Sequence, residues 1–206
     1  MQGIKEMCRS QVYDGTMRGF LAQNLVRGAV AVYPTDTLYA LGASAYSEHG
    51  VRRVAELKGR PEGMPMSFAF PDVKSILDWT EPSQLAKAVI EKNLPGPLTV
   101  VLPASAKAPK YIVNADGTLG VRIPDDDVIR MLLADAGPLS VTSANLHGGK
   151  DPRSVADIPT ELLEKVDHII DFGPCKHSEG TTIIKIIGDD ITLLREGVIP
   201  LRELKR

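Results

Sequence analysis

The sequence predicts an α/β fold: a twisted, open, mixed sheet with helices packed on its faces. Three observations predict it. Apolar runs of strand length alternate with segments of helical periodicity from one end of the chain to the other. Near the C-terminus two such runs flank Gly188-Asp189-Asp190, the signature of an antiparallel hairpin. No Ser/Gly linker, charge block or fixed-period repeat interrupts the alternation, so residues 1–206 are read as a single domain. At that length a domain buries about 70% of the surface its unfolded chain exposes and needs no disulfide or metal to fold.

In chain order, Phe20, Leu21, Asn24 and Leu25 recur at helical spacing within 16–27, and Gly28 stops that helix before an apolar run at 29–33. Ser47 is a cap for a helix through Val51, Val54, Ala55 and Leu57 that ends before Pro61. A short strand at 66–70 follows. Ser83 caps a helix over 84–93, Pro95-Gly96-Pro97 breaks it, and 98–102 is a continuous apolar run. Residues 119–123 form another strand. After Pro124, the triplet Asp125-Asp126-Asp127 opens a helix over 128–136; carboxylates in a first turn satisfy free N–H groups and the positive end of the dipole, a better account than a metal site. Strands at 139–141 and 169–172 precede the hairpin strands, 181–187 and 191–195.

Composition bounds the function. Hydrophobic residues at 43% and charged residues at 24% match ordinary globular usage, and the apolar runs stop far short of the roughly 18 residues that span a bilayer. The N-terminal MQGIKEMCRSQ has no apolar segment and reads as neither a signal nor a transit peptide, so a cytoplasmic protein without membrane contact is expected. Twenty-four basic against 26 acidic residues give no overall pull toward phosphate backbones, which leaves only a local patch for nucleic acid. Cys8 and Cys175 are too few for a disulfide framework and are expected as reduced thiols. Cys175 and His177 fall short of the three or four ligands of a zinc site, and no metal site is expected.

The usual nucleotide fingerprints, GxxxxGK[ST] and GxGxxG, are missing. Instead polar clusters follow apolar strands, where open α/β sheets hold ligands. Pro34-Thr35-Asp36-Thr37 offers two hydroxyls and a carboxylate able to bind an ammonium; a turn capped by Asp and Thr is the alternative. Lys58-Gly59-Arg60 ends a helix with two cations suited to a polyphosphate, unless both simply complement the helix terminus in solvent. Ser143-Ala144-Asn145 can meet a phosphate and a base or ribose, or merely form a turn. Arg122 and Arg195 stand near strand ends, as ligand contacts or as surface ion pairs.

The ordered motifs YPTDTLYALG, LKGRPEGMPMS, PGPLTVVL, GVRIPD, VTSAN, GTTII and REG resemble the YrdC-like threonylcarbamoyl-AMP synthase family, single-domain form, over residues from about 15 to about 200. The resemblance implies a YrdC/RibB-like sheet with a large concave, positively lined cavity. It also implies an ATP-dependent nucleotidyl transfer: threonine and bicarbonate form N-carboxythreonine, which displaces pyrophosphate from ATP. Partner proteins pass the threonylcarbamoyl group to an adenosine of certain tRNAs, and Mg2+ accompanies the ATP. By the same resemblance Lys58 and Arg60 are catalytic and bind the nucleotide with Thr99, Ser143, Asn145 and Arg195, whereas Thr35, Thr37, Arg122 and Thr181 hold threonine.

This sequence departs from the family pattern at Ala40, where YGLG has its first Gly, at Thr181, often Ser, and at His147-Gly148-Gly149, in place of Ser-Gly. It also lacks a His near Met66 that longer relatives carry. Two other classes stand beside the synthase. An RNA-binding module, or weak tRNA binding by the enzyme, is disfavoured as the main role by net charge −2 and few aromatics. A carbamoyl-transfer protein like the hydrogenase-maturation enzymes with a related domain is disfavoured, because those carry acylphosphatase and zinc-finger portions and neither fits within 206 residues with two Cys.

Overall fold

The computed structural model describes residues 6–8, 12, 15, 17–59, 63–146, 148–177 and 179–204. Among these the chain runs β1 (Glu6–Cys8), α1 (Arg18–Val26), β2 (Ala31–Tyr33), β3 (Ala40–Gly42), α2 (Glu48–Lys58), β4 (Ser67–Ala69), α3 (Val73–Trp79), α4 (Gln84–Asn93), β5 (Leu98–Pro103), β6 (Thr118–Arg122), α5 (Asp127–Ala136), β7 (Leu139–Ser143), α6 (Thr160–Leu163), β8 (His168–Asp171), β9 (Thr182–Ile187) and β10 (Asp190–Arg195). The strands form one sheet in the order β1-β8-β2-β3-β7-β4-β6-β5-β9-β10. It is mixed: β8 pairs parallel with β1 and β2, β4 with β6 and β5 with β9, while β7 joins β3 and β4 in antiparallel fashion.

Strand alternation sets the layers. Ala31 and Tyr33 enter one apolar cluster with Leu21 and Leu25 of α1 and Leu132 and Leu133 of α5, while Val30 and Val32 enter another with Val54 of α2 and Leu162 of α6. Helices therefore cover both faces around β2. Farther along the sheet, Ile76 and Trp79 of α3 and Val89 and Ile90 of α4 pack with Phe68, Val100 and Val121. No helix among the described residues is long and apolar enough to cross a membrane.

The predicted caps are in place. Ser47 Oγ accepts from the Gly50 N–H at 3.2 Å, Ser83 Oγ from Ala86 at 3.2 Å, and Asp126 Oδ1 from Val128 and Ile129 at 3.0 and 3.1 Å. The acidic triplet is a helix start. The hairpin turn is shorter than the sequence predicts: Asp190 pairs with Ile187, so the loop is Gly188-Asp189, with Gly188 at φ 58°. Four elements, β1, β3, α3 and α6, have no counterpart in the sequence reading. Three-residue β3 is buried on both faces and shows no alternation, so only its pairing with β2 and β7 makes it a strand. Seven-residue α3 is too short for periodicity, although Asp72, which accepts from the Ser75 N–H at 2.7 Å, marks its start.

Candidate active site

The sheet from the loop after β2 across to its edge strand β10 contributes to the wall of a cavity of about 380 Å³. Thr35, Thr37, Lys58, Thr99, Arg122, Ser143, Asn145, Thr181 and Arg195 all line it. These nine candidates come from seven separate stretches of chain, and the strand order alone brings them together. Arg60, the tenth, lies outside the described residues, as does His147 of the loop after Asn145.

Lys58 is the last residue of α2, and Gly59 closes the helix in the left-handed region at φ 63°. The alternative of a solvent-facing helix-terminal cation is corrected by its burial, with 5% of its surface exposed. Its ammonium donates to the Ser143 carbonyl at 2.6 Å, to Ser143 Oγ at 3.0 Å and to Asn145 Oδ1. Ser143 Oγ in turn donates to Asn145 Oδ1 at 2.8 Å, and Asn145 Nδ2 donates to the carbonyls of Gly149 and Lys150 at 2.8 and 3.1 Å. These acceptors are neutral oxygens. These bonds fix the ammonium at the cavity wall from three sides.

Two arginine-threonine-threonine arrays face the cavity. In the first, Arg122 Nη1 donates to Thr37 Oγ1 at 3.1 Å and Thr37 Oγ1 lies 2.9 Å from Thr35 Oγ1. Because the Thr35 hydroxyl donates to the Leu38 carbonyl at 2.7 Å, Thr37 must be the donor between the two. Thr35 Oγ1 also accepts from the N–H groups of Thr37 and Leu38, both at 3.2 Å. Its hydroxyl proton serves the turn, and Thr35 lines the cavity beside Thr37. In the second array Arg195 donates to the Thr181 carbonyl at 2.9 Å and reaches Thr181 Oγ1 at 3.4 Å, and Thr181 Oγ1 lies 2.8 Å from Thr99 Oγ1. One hydroxyl of that pair donates to the other, so one O–H is left for a ligand. The expected split between Thr181 for threonine and Thr99 and Arg195 for ATP thus runs through a single hydrogen-bonded cluster.

A family model described as Telomere recombination, that of the Sua5/YciO/YrdC proteins, matches residues 23–197. The chain belongs to the Sua5/YciO/YrdC family. A Methanocaldococcus jannaschii relative, named provisionally as a threonylcarbamoyl-AMP synthase, is 42% identical over 91% of this chain and 88% of its own length. The threonylcarbamoyl-AMP synthase of Pyrococcus abyssi is 31% identical over 90% of this chain and 56% of its own. The crystal structure of P. abyssi Sua5 complexed with L-threonine matches with a TM-score of 0.86 at 28% identity, over 97% of this chain and 58% of that one. The chain spans a little over half the length of the P. abyssi protein.

Within this Sua5/YciO/YrdC domain, the described departures from the expected pattern, Ala40, Gly148, Gly149 and Thr181, line the cavity. Ala40 is buried, pairs with Ser143 across β3 and β7, and lines the cavity while belonging to the apolar cluster of Ala31 and Tyr33. Thr181 keeps a hydroxyl where Ser is common, as the hydrogen bonds above require. Sequence reasoning missed one acidic residue of the wall and misjudged the partner of another. Asp151 lines the cavity, and its charge opposes the fall that burial imposes on the Arg195 pKa. Asp36, expected to face an ammonium, instead accepts from Arg122 Nη2 at 2.5 Å in an ion pair whose side chains are 0% and 4% exposed. That also corrects the surface-pair alternative for Arg122. Its only sequence signal was a carboxylate between two threonines just after a buried strand. Burial pushes the Cys175 thiol pKa up to about 11. No group of three metal-ligating side chains occurs among the described residues.

Proposed function

We propose that the chain makes threonylcarbamoyl-AMP from L-threonine, bicarbonate and ATP, releasing pyrophosphate, and hands it in the cytoplasm to proteins that modify tRNA. The observation that carries this reading is the gathering of Lys58, Arg122 and Arg195, each held by hydroxyls or carbonyls, around one cavity. The names of the relatives agree with it. One sheet around which every described candidate gathers supports reading 1–206 as a single domain.

The chemistry needs little covalent help from the protein. N-Carboxythreonine attacks the α-phosphate through its carbamate oxygen, and the bond to pyrophosphate breaks; the protein holds the two in line and neutralises the departing charge. Lys58 and Arg60 take the second task. ATP, as its magnesium complex, is further held by Ser143, Asn145 and Arg195, with Thr99 beside them. Arg122 meets the threonine carboxylate, and Thr37 and the Thr181 hydroxyl cluster take its other polar groups. The test is pyrophosphate release from MgATP with each common amino acid, with and without bicarbonate. Release that requires both threonine and bicarbonate is expected. Release with carbamoyl phosphate in place of threonine, or none at all, overturns the reading.

A further inference from the structure

The Asp36–Arg122 pair is poorly built for stability. Burying two charges is repaid only by good geometry with the remaining lone pairs and protons satisfied. Here the contact is single: Arg122 Nη2 reaches Asp36 Oδ1 at 2.5 Å, while Asp36 Oδ2 and Arg122 Nε are buried with no partner among the described residues. A bidentate fork would use both carboxylate oxygens. The carboxylate is nevertheless held firmly. Asp36 lies in the turn built by Thr35, and its carbonyl accepts the His177 N–H at 2.8 Å from the segment that crosses behind it. Thr37 receives the other terminal nitrogen of Arg122 at 3.1 Å. Two neighbours in one rigid turn therefore grip both ends of the guanidinium and fix its plane at the cavity wall.

We propose that Asp36 is a positioning residue for the amino-acid end of the cavity, aiming Arg122 so that its guanidinium takes the substrate carboxylate in one orientation. This rests on the synthase reading. A mis-aimed arginine loses a charged hydrogen bond, so Asp36→Asn should raise the KM for threonine by about 10- to 150-fold and leave the KM for ATP within about twofold. Discrimination between threonine and threoninamide, which lacks the carboxylate, should shrink by a similar factor, a change that mere loosening of the fold does not produce. Asp36→Glu keeps the charge but moves it, and should show the same threonine-specific defect. Thermal unfolding of each variant is followed alongside. Unchanged or lower KM for threonine in Asp36→Asn overturns the proposal, since the carboxylate would then be idle or a competitor of the substrate. Failure of both variants to fold also overturns it, by making the pair structural. Wild-type protein without threonine-dependent pyrophosphate release overturns the synthase reading, and the proposal with it; active wild type with indifferent variants overturns the proposal alone.

Discussion

Lys58 shows how much a single side chain can hold. Its ammonium is buried against Ser143 and Asn145, so truncation removes both a cation from the cavity and the donor that fixes the loop after β7. Leaving those acceptors short of a donor costs about 1–3 kcal/mol, and the lost contact to a phosphate costs activity as well. Lys58→Ala should therefore lower the melting temperature and cut pyrophosphate release by about 10- to 150-fold; a fully stable variant contradicts the strut role. Gly180 acts in the opposite way, by leaving room. A Cβ there would stand 2.8 Å from Arg195 Nη2, the far end of a flexible side chain, so Gly180→Ala should push the guanidinium off Thr181 with little change in stability. A rise in the KM for ATP of about tenfold or more, with an unchanged unfolding curve, is the expected result.

Among the elements, the join of α2, β2 and β8 depends on one carboxylate. Asp167 Oδ2 accepts from the Val30 N–H at 2.7 Å and from Arg53 Nη1 at 2.7 Å. Burial acts to raise its pKa, but the hydrogen bonds from Arg53 and Val30 outweigh burial and hold it below the usual carboxylate range. A pKa lower in the folded than in the unfolded state gives stability that is present above the unfolded value, about 3.9, and lost as pH falls through the folded one. Wild type should accordingly unfold at higher temperature than Asp167→Asn near neutral pH, with the gap closing in acid below the carboxylate range. Melting curves of the two proteins across that range check the sign. A gap that widened in acid would mean that the charged form is not what joins these elements.

For the whole molecule, a cavity lined by three cations predicts that the nucleotide stabilises the fold. A ligand at 100 times its Kd contributes about 2.7 kcal/mol, and at this chain length each kcal/mol moves the melting temperature by about 2–4 °C. MgATP at that level should raise it by roughly 5–11 °C, and Lys58→Ala should lose most of the shift at the same concentration. Differential scanning fluorimetry reads both. A shift equal in the two proteins would place the nucleotide away from Lys58.

Residue type and local order were enough to predict the α/β class, the caps at Ser47 and Ser83, the acidic helix start at Asp125-Asp126-Asp127, and nine of the residues that line the cavity. Each of those rests on interactions within a few positions, or on chemistry that a side chain carries anywhere. The pairings were not legible. Asp36 meets Arg122 across 86 positions, Lys58 meets Asn145 across 87 and Thr99 meets Thr181 across 82. Nothing in either partner's neighbourhood names the other. β3 becomes a strand only between β2 and β7, and Lys58 turns from a helix terminus into a buried strut only because β7 delivers Ser143 beneath it. Which strand ends share one wall follows from the order of the sheet, and that order is set by how all its apolar faces are buried at once. For that reason the chemistry of the site was written locally, while its geometry was decided by the tertiary structure alone.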